Sequence, residues 1–158
     1  RRACEPALGF NDVVLRRPTG AGPVAIALRI ESELLAHYSG DGLIIATAHG
    51  STAYSFAAGG PIVSPALAAK VVTPLAPHTT FNRPLVLCDE LVEVDVLASS
   101  SCLSIEIDGQ EHGQAGPGDR LRIGSSRLTA RRVRVGQLGF AARARSKLHI
   151  ADAGELRT

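Results

Sequence analysis

Hydrophobic and polar positions along the chain alternate in short runs, the pattern of half-buried strands. Val24, Ile26, Leu28 and Ile30 alternate with Ala25, Ala27 and Arg29, a period of two that turns one face to a core and the other to solvent. Glu31-Ser32 turns the chain and Glu33 to Ser39 returns, so the pair predicts a hairpin. Leu91 to Leu97 alternates around Glu93 and Asp95, and Leu103, Ile105 and Ile107 alternate around Ser104 and Glu106. Val13–Leu15, Leu43–Ala46, Val71–Leu75 and Leu85–Cys88 are apolar runs, rich in β-branched residues and too short for helices. They predict buried strands. Asp108-Gly109 is a hairpin signal. The polar stretch Glu111 to Asp119 predicts a connection to Leu121 and Ile123, followed by a strand over Leu128 to Val135 whose arginines, Arg131, Arg132 and Arg134, suit a solvated edge. Helix is expected in three places: Ala53–Ala58, a short piece over Pro65–Lys70, and a last helix over Leu138–Leu148 with Arg143, Arg145 and Lys147 toward its C-terminus. So many short strands at hairpin spacing, with so little helix, predict an all-β fold, a multi-stranded β-sandwich.

One stretch departs from this monotony. Gly40-Asp41-Gly42 is a turn, Leu43–Ala46 a buried strand, and Thr47, Gly50, Ser51 and Thr52 are small or hydroxylated. Such residues let backbone approach a ligand closely and supply N–H and O–H donors. Ser51 or Thr52 can cap the short helix that follows the Gly-Ser-Thr-Ala-Tyr turn, and Gly59-Gly60-Pro61 ends it. A strand delivering a donor-rich turn to a helix start suits an anion or a sugar hydroxyl, with Tyr54 offering a flat ring to a base. The stretch is neither a six-residue Gly-x-Gly-x-x-Gly nor a phosphate loop ending in Gly-Lys-Ser/Thr. Corners of this composition are also common with no ligand at all.

Composition narrows the class. A chain of 158 residues, 45% hydrophobic and 20% charged, has room for a core and the balance of a soluble domain. It contains no methionine, so residue 1 is not a translation start and the chain reads as processed or as a piece of a longer one. No apolar run reaches the length of a membrane span, and a formal charge of +2 gives no argument for nucleic acid. Cys4, Cys88 and Cys102 are odd in number and lack metal spacing, and the five histidines form no zinc pair. A reducing, cytoplasmic setting is expected, with no membrane and no nucleic-acid partner.

Asp41-Gly-Leu-Ile-Ile-Ala-Thr-Ala-His-Gly-Ser-Thr-Ala-Tyr-Ser with Ala58-Gly-Gly-Pro-Ile-Val resembles the C-terminal domain of NAD kinases. The family wording there is Asp-Gly-Leu-Ile-x-x-Thr-Pro-Thr-Gly-Ser-Thr-Ala-Tyr, then Gly-Gly-Pro. Asn11-Asp12-Val13-Val14 resembles its Asn-Glu/Asp pair. Thr73-Pro74-Leu75-Ala76-Pro77-His78, Arg83-Pro84-Leu85-Val86 and Asp108-Gly109-Gln110 resemble its other motifs, and Phe140 to His149 its closing helix. The likeness runs through most of the chain in one consistent order. It implies a β-sandwich that supplies most of an NAD site, preceded in the family by an α/β domain that is absent from residues 1–158.

The implied reaction is phosphoryl transfer from ATP, or polyphosphate in some members, to the adenosine ribose 2′-hydroxyl of NAD, giving NADP. It needs a base at that hydroxyl, a divalent metal such as Mg²⁺ on the donor phosphates and a pocket for the ribose. The family base lies in a Gly-Gly-Asp-Gly motif of the first domain. This chain has no Gly-Gly-Asp, so no catalytic residue and no metal ligand is assigned to it. The resemblance carries NAD-binding roles to Asn11, Asp12, Asp41, Thr52, Ala53, Tyr54, Ser55, Phe56, Ala57, Ala76 and Gln110. It also implies a homodimer or homotetramer, because a neighbouring subunit completes the family's NAD pocket. The chain departs from the family pattern at Ser39, where an Arg is common, at Ala48-His49, where Pro-Thr is usual, at Ala57, where many members carry a second hydroxyl, and at Ile150, in place of a terminal Trp. Two other readings compete. One is a lipid kinase of the diacylglycerol or sphingosine type, which shares the sandwich. The other is a non-catalytic module that senses a dinucleotide.

Overall fold

The computed structural model describes residues 6–131, 133, 138–148 and 150. Ten strands form two antiparallel sheets: β1 (Asp12–Arg16), β2 (Val24–Ile30), β3 (Glu33–Gly40), β4 (Gly42–Thr47), β5 (Lys70–Leu75), β6 (Leu85–Leu87), β7 (Val92–Val96), β8 (Leu103–Ile107), β9 (Gln110–Ala115) and β10 (Arg120–Ile123). One sheet has six strands in the order β6-β5-β4-β1-β8-β9, and the other four in the order β10-β7-β2-β3. The period-two alternation fixes which faces meet. Leu15, Leu43, Ile45, Val72 and Leu103 from the larger sheet share one core with Val24, Ile26, Leu28, Val92, Val94 and Val96 from the smaller. This is the expected sandwich, two sheets closed over interleaved apolar faces.

The outer faces differ. On the smaller sheet, Arg29 and Arg120 pair with Asp95, and Arg122 with Glu93. These cross-strand ion pairs give that face a charged surface, with Glu93 itself buried. The larger sheet instead carries a second apolar patch, Val14, Ile44 and Ala46, against which Ala58 and Leu75 of β5 pack. Helix α1 (Tyr54–Ala57) leads into Ala58 and touches β4. The hydroxyls of Ser55 and Thr73, 2.8 Å apart and both fully buried, moor α1 to β5.

Several expectations are corrected. Pro65–Lys70 is not helical: a single turn from Ser64 to Leu67 is followed by extended chain, and Lys70 opens β5. Its buried ammonium donates to the carbonyls of Cys88 and Glu90, which draws that end into the sheet. The polar segment after Asp108-Gly109 is a strand, β9, with all but Ala115 exposed. Its ladder with β8 holds it at the sheet edge without needing an apolar face. Among the described residues of the stretch 128–135, none is in a strand; residues 132, 134 and 135 lie outside the description. The C-terminal helix, α2 (Phe140–Lys147), is present with Arg145 and Lys147 in its last turn, and it belongs to a separate unit of the chain.

Tyr38 is the largest side chain in the core and the only polar one of its size there among the described residues. Its hydroxyl lies 2.6 Å from the carbonyls of both Gly42 and Leu75 and accepts from the Leu75 N–H at 3.1 Å. Burial pushes the phenol up to about 12. It therefore stays protonated and keeps a donor beneath the Gly40–Gly42 turn. Tyr38→Phe is expected to lower stability by about 1–2 kcal/mol, since the Leu75 N–H loses its acceptor in a dry place. Urea unfolding of the two proteins measures this, and equal midpoints would show that water replaces the hydroxyl.

Candidate functional site

The corner after β4 is assembled from close backbone approaches. Thr47 N–H donates to the Asn11 carbonyl at 2.8 Å, and Thr47 Oγ1 donates to the Phe10 carbonyl at 2.9 Å while accepting from Gly50 N–H at 3.0 Å. Gly50 lies directly on the Asn11 backbone, where a Cβ would come within 2.5 Å of the carbonyl carbon and 2.7 Å of the Cα. Residues Gly50–Thr52 then form one 3-10 turn before α1. Ser51 does not cap α1 as expected. It is buried, donates to the Ala48 carbonyl at 2.8 Å and accepts from Val63 N–H at 3.0 Å, tying the corner to the chain beyond α1. The helix start is met from elsewhere: Ala53 makes no side-chain cap, and the Tyr54 backbone N–H is hydrogen-bonded to the Asp12 carboxylate of β1. His49 packs its ring 4.6 Å from that of Phe10.

Asp108 clamps the other side of this corner. Its carboxylate accepts from the backbone N–H groups of Phe10 at 2.7 Å, Asn11 at 2.6 Å and Asp12 at 3.2 Å. The Asp-Gly hairpin turn, with φ of +50° at Asp108 and +80° at Gly109, aims the carboxylate at these donors. Burial works to push the Asp108 carboxyl up, but the three N–H donors prevail and hold it below its ordinary value. Asp12 shifts the other way, raised by burial first and by the Asp108 charge second, against the Tyr54 N–H.

The sign of the pH effect follows. A depressed carboxyl contributes stability that is complete above its unfolded value of 3.8 and is lost as pH falls through the folded one. Asp108→Asn is expected to be less stable at neutral pH by about 1 kcal/mol, small because the site is exposed. The difference should close below pH 3.8. Denaturant melts across the acid range test this, and a deficit independent of pH would assign the effect to shape alone.

A cleft of about 400 Å³ opens beside this corner, lined by Arg16, Arg17, Pro18, Thr19, Gly20, Asp41, Tyr54, Leu75 and Ala76. Tyr54 is 44% exposed, so its ring presents a face to solvent. Ala76 is held at φ +42°, a conformation that is costly for a residue with a Cβ. Asp41 is held by Arg17, whose Nε donates to Asp41 Oδ1 at 2.6 Å. Arg16 donates from Nε to Glu106 on β8 at 2.6 Å, which fixes a second guanidinium at the rim. Two cations, a carboxylate and an aromatic ring around a small-residue wall suit a ligand carrying a flat ring, hydroxyls and negative charge.

Of the residues expected from sequence, Asp41, Tyr54 and Ala76 share this cleft. Asp12 touches the Tyr54 backbone from β1, while Asn11 is tied through its backbone to Asp108 and Thr47. Thr52 and Ala53 are half-buried in the turn leading to Tyr54. Ser55 has no exposed surface, and its hydroxyl is used on Thr73, which seats the helix. Phe56, Ala57 and Gln110 are exposed and do not line the cleft. Sequence reasoning missed Arg16, Arg17, Tyr38 and the clamp by Asp108. The signal for the arginines was two adjacent cations ending an apolar strand just before Pro18. No sequence pattern marks the hydroxyl of Tyr38. Among the described residues no three His, Cys, Asp or Glu side chains gather where a metal ion could bind. None of their helices is long and apolar enough to cross a membrane.

Residues 10–135 match the family model of the ATP-NAD kinase C-terminal domain. NAD kinase 1 of Streptomyces coelicolor is 44% identical over 145 residues, 91% of this chain and 40% of that protein. The NAD kinase of Ralstonia nicotianae is 38% identical over 143 residues, 90% of this chain and 47% of that protein. Among solved structures, yeast NADH kinase complexed with NADH superposes with a TM-score of 0.67 at 32% identity, covering 72% of this chain and 33% of that one. An NAD kinase from Archaeoglobus fulgidus in complex with ATP superposes with a TM-score of 0.65 at 27% identity, covering 76% and 46%. The chain thus spans less than half the length of these relatives. With a family model covering most of its length and relatives matching nine-tenths of it, the chain belongs to the ATP-NAD kinase C-terminal domain family.

Proposed function

We propose that this chain is the NAD-binding half of a cytoplasmic NAD kinase, which moves a phosphoryl group from ATP or polyphosphate to the adenosine ribose 2′-hydroxyl of NAD. The observation that carries the reading is the meeting of Asp41, Tyr54 and Ala76 in one cleft, in a chain that belongs to the ATP-NAD kinase C-terminal domain family. Tyr54 stacks on a base, Asp41 accepts from ribose hydroxyls, and Ala76 leaves room for a ring to pass. Asn11 and Asp12 bind from the β1 side, with Thr52, Ala53, Phe56 and Ala57 flanking the ring and Gln110 reaching from the β8–β9 hairpin. Asp12, pulled toward neutrality by burial and by Asp108, is suited to a ligand group that brings a hydrogen-bond donor.

The phosphoryl acceptor must lose a proton as the new P–O bond forms, and the base for that step belongs to a Gly-Gly-Asp-Gly motif outside residues 1–158. A Mg²⁺ ion bound with the donor would supply charge neutralisation to its phosphates. Among the described residues no three His, Cys, Asp or Glu side chains gather as ligands for it. Subunits assemble as a homodimer or homotetramer, so that a neighbour closes the open side of the cleft.

The test supplies the full-length protein with NAD, ATP or polyphosphate, and Mg²⁺, and follows NADP with an NADP-specific dehydrogenase. NADP is the expected product. Phosphorylated diacylglycerol or sphingosine in its place would favour a lipid kinase, and NAD binding without any transfer would favour a sensor module.

A further inference from the structure

The cleft contains a cation that makes three contacts binding different walls together. Arg17 N–H donates to the Asp41 carbonyl at 2.9 Å, its Nε to Asp41 Oδ1 at 2.6 Å, and its Nη1 to the Ala21 carbonyl at 2.9 Å. The first two fix the Gly40–Gly42 turn against the end of β1. The third fixes the Pro18–Ala21 turn, itself closed by Ala21 N–H on the Pro18 carbonyl at 3.1 Å with Gly20 at φ +81°. Both turns line the cleft.

The exposure of the pair decides what it is for. Side chains of Arg17 and Asp41 are 36% and 42% exposed. An ion pair that open to water contributes little to folding. It does restrict the carboxylate to one orientation, which spares a ligand the entropic cost of ordering it.

We propose that Arg17 is a positioning residue for ligand binding, which presets the Asp41 carboxylate and the Pro18–Ala21 wall before the ligand arrives. The proposal rests on the reading that this cleft takes the adenosine end of NAD. Arg17 acts through Asp41, so its loss should weaken binding without altering phosphoryl transfer once NAD is bound.

The test compares the full-length protein with Arg17→Gln, Arg17→Lys, Asp41→Asn and the Gln/Asn double variant, measuring KM for NAD, kcat and Tm. For Arg17→Gln, KM is expected to rise about 10-fold with kcat within about 2-fold. Tm should move by no more than about 2 °C, as for an exposed ion pair. Arg17→Lys keeps the charge but cannot bridge Asp41 and Ala21 with one planar group, so its KM should fall between the two. The double variant should be no worse than Asp41→Asn. An unchanged KM in Arg17→Gln or in Asp41→Asn, effects that multiply in the double variant, or a lost fold in Arg17→Gln would each overturn the positioning role while leaving the kinase reading intact. Failure of the unaltered protein to make NADP would remove the reading and the proposal together.

Discussion

Replacing Gly50 by alanine is expected to lower stability by at least about 3 kcal/mol and to abolish NAD binding. The new Cβ would stand 2.5 Å from the Asn11 carbonyl carbon and 2.7 Å from its Cα, contacts with backbone that no rotamer change relieves. The carbonyl it meets is already the acceptor for Thr47 N–H. Either β1 moves away from the corner or the corner leaves the sheet. In both cases Asn11 and Asp12 part from Tyr54, whose backbone N–H is hydrogen-bonded to the Asp12 carboxylate. The cause is proximity, since Gly50 is not among the residues with positive φ. Gly20 is the control: its φ is +81°, yet a Cβ there meets nothing within 4 Å, so Gly20→Ala should cost only backbone strain, about 1 kcal/mol. Thermal melts and NAD titration of both variants make the comparison. A Gly50→Ala protein as stable as Gly20→Ala would mean that the corner yields more easily than this packing implies.

The same contrast explains how much the sequence disclosed. Strands with one wet face were legible because Val24, Ile26, Leu28 and Ile30 obey a period that only a half-buried strand produces. The β2–β3 hairpin was legible too, although Glu31 and Ser32 take positive φ without being glycine. β9 was hidden because an edge strand with five exposed residues has no apolar period to read, and its evidence is the ladder with β8. The corner stood out by composition, yet the work of its hydroxyls did not. Ser51 and Ser55 look alike as ligand donors in the sequence, and both are buried and bonded inside the fold. Conversely, Arg17 gave no sign of meeting Asp41, because residues 24 apart are joined only when β1 pairs with β4 in the observed register. Side chains that act through long-range pairing are invisible to local pattern, whereas strand faces and turns are local and were found.

The outer patch of the larger sheet links these pieces to binding. Ile44 and Val14 pack with Leu75 of β5, and Leu75 also lines the cleft. Tyr38 reaches the Leu75 backbone from the opposite, core side of the sheet. The wall of the cleft is therefore held from both faces of β5. This rigidity is what a site needs if it is to bind a flexible dinucleotide without first ordering its own walls.

Asp41→Ala and Tyr54→Ala are each expected to weaken NAD binding by about 1–3 kcal/mol, roughly 5- to 150-fold. The first removes a charged acceptor, the second a ring and its stacking face. They stand on separate elements, the turn before β4 and helix α1, and are expected to meet different parts of the ligand, so their effects should add. The double variant is then expected to bind about 30-fold to more than 10,000-fold more weakly. Stability should hardly respond. Asp41 gives up an exposed ion pair, and Tyr54 is 44% exposed, so neither change opens a cavity in the core. Isothermal titration of the full-length protein with NAD, beside thermal melts, separates the two quantities. Intact binding in both single variants would mean that NAD sits elsewhere. A loss in Tyr54→Ala alone would mean that the base stacks as proposed while the ribose lies beyond the reach of Asp41. In that event Arg17, which acts through Asp41, would have no part in recognition.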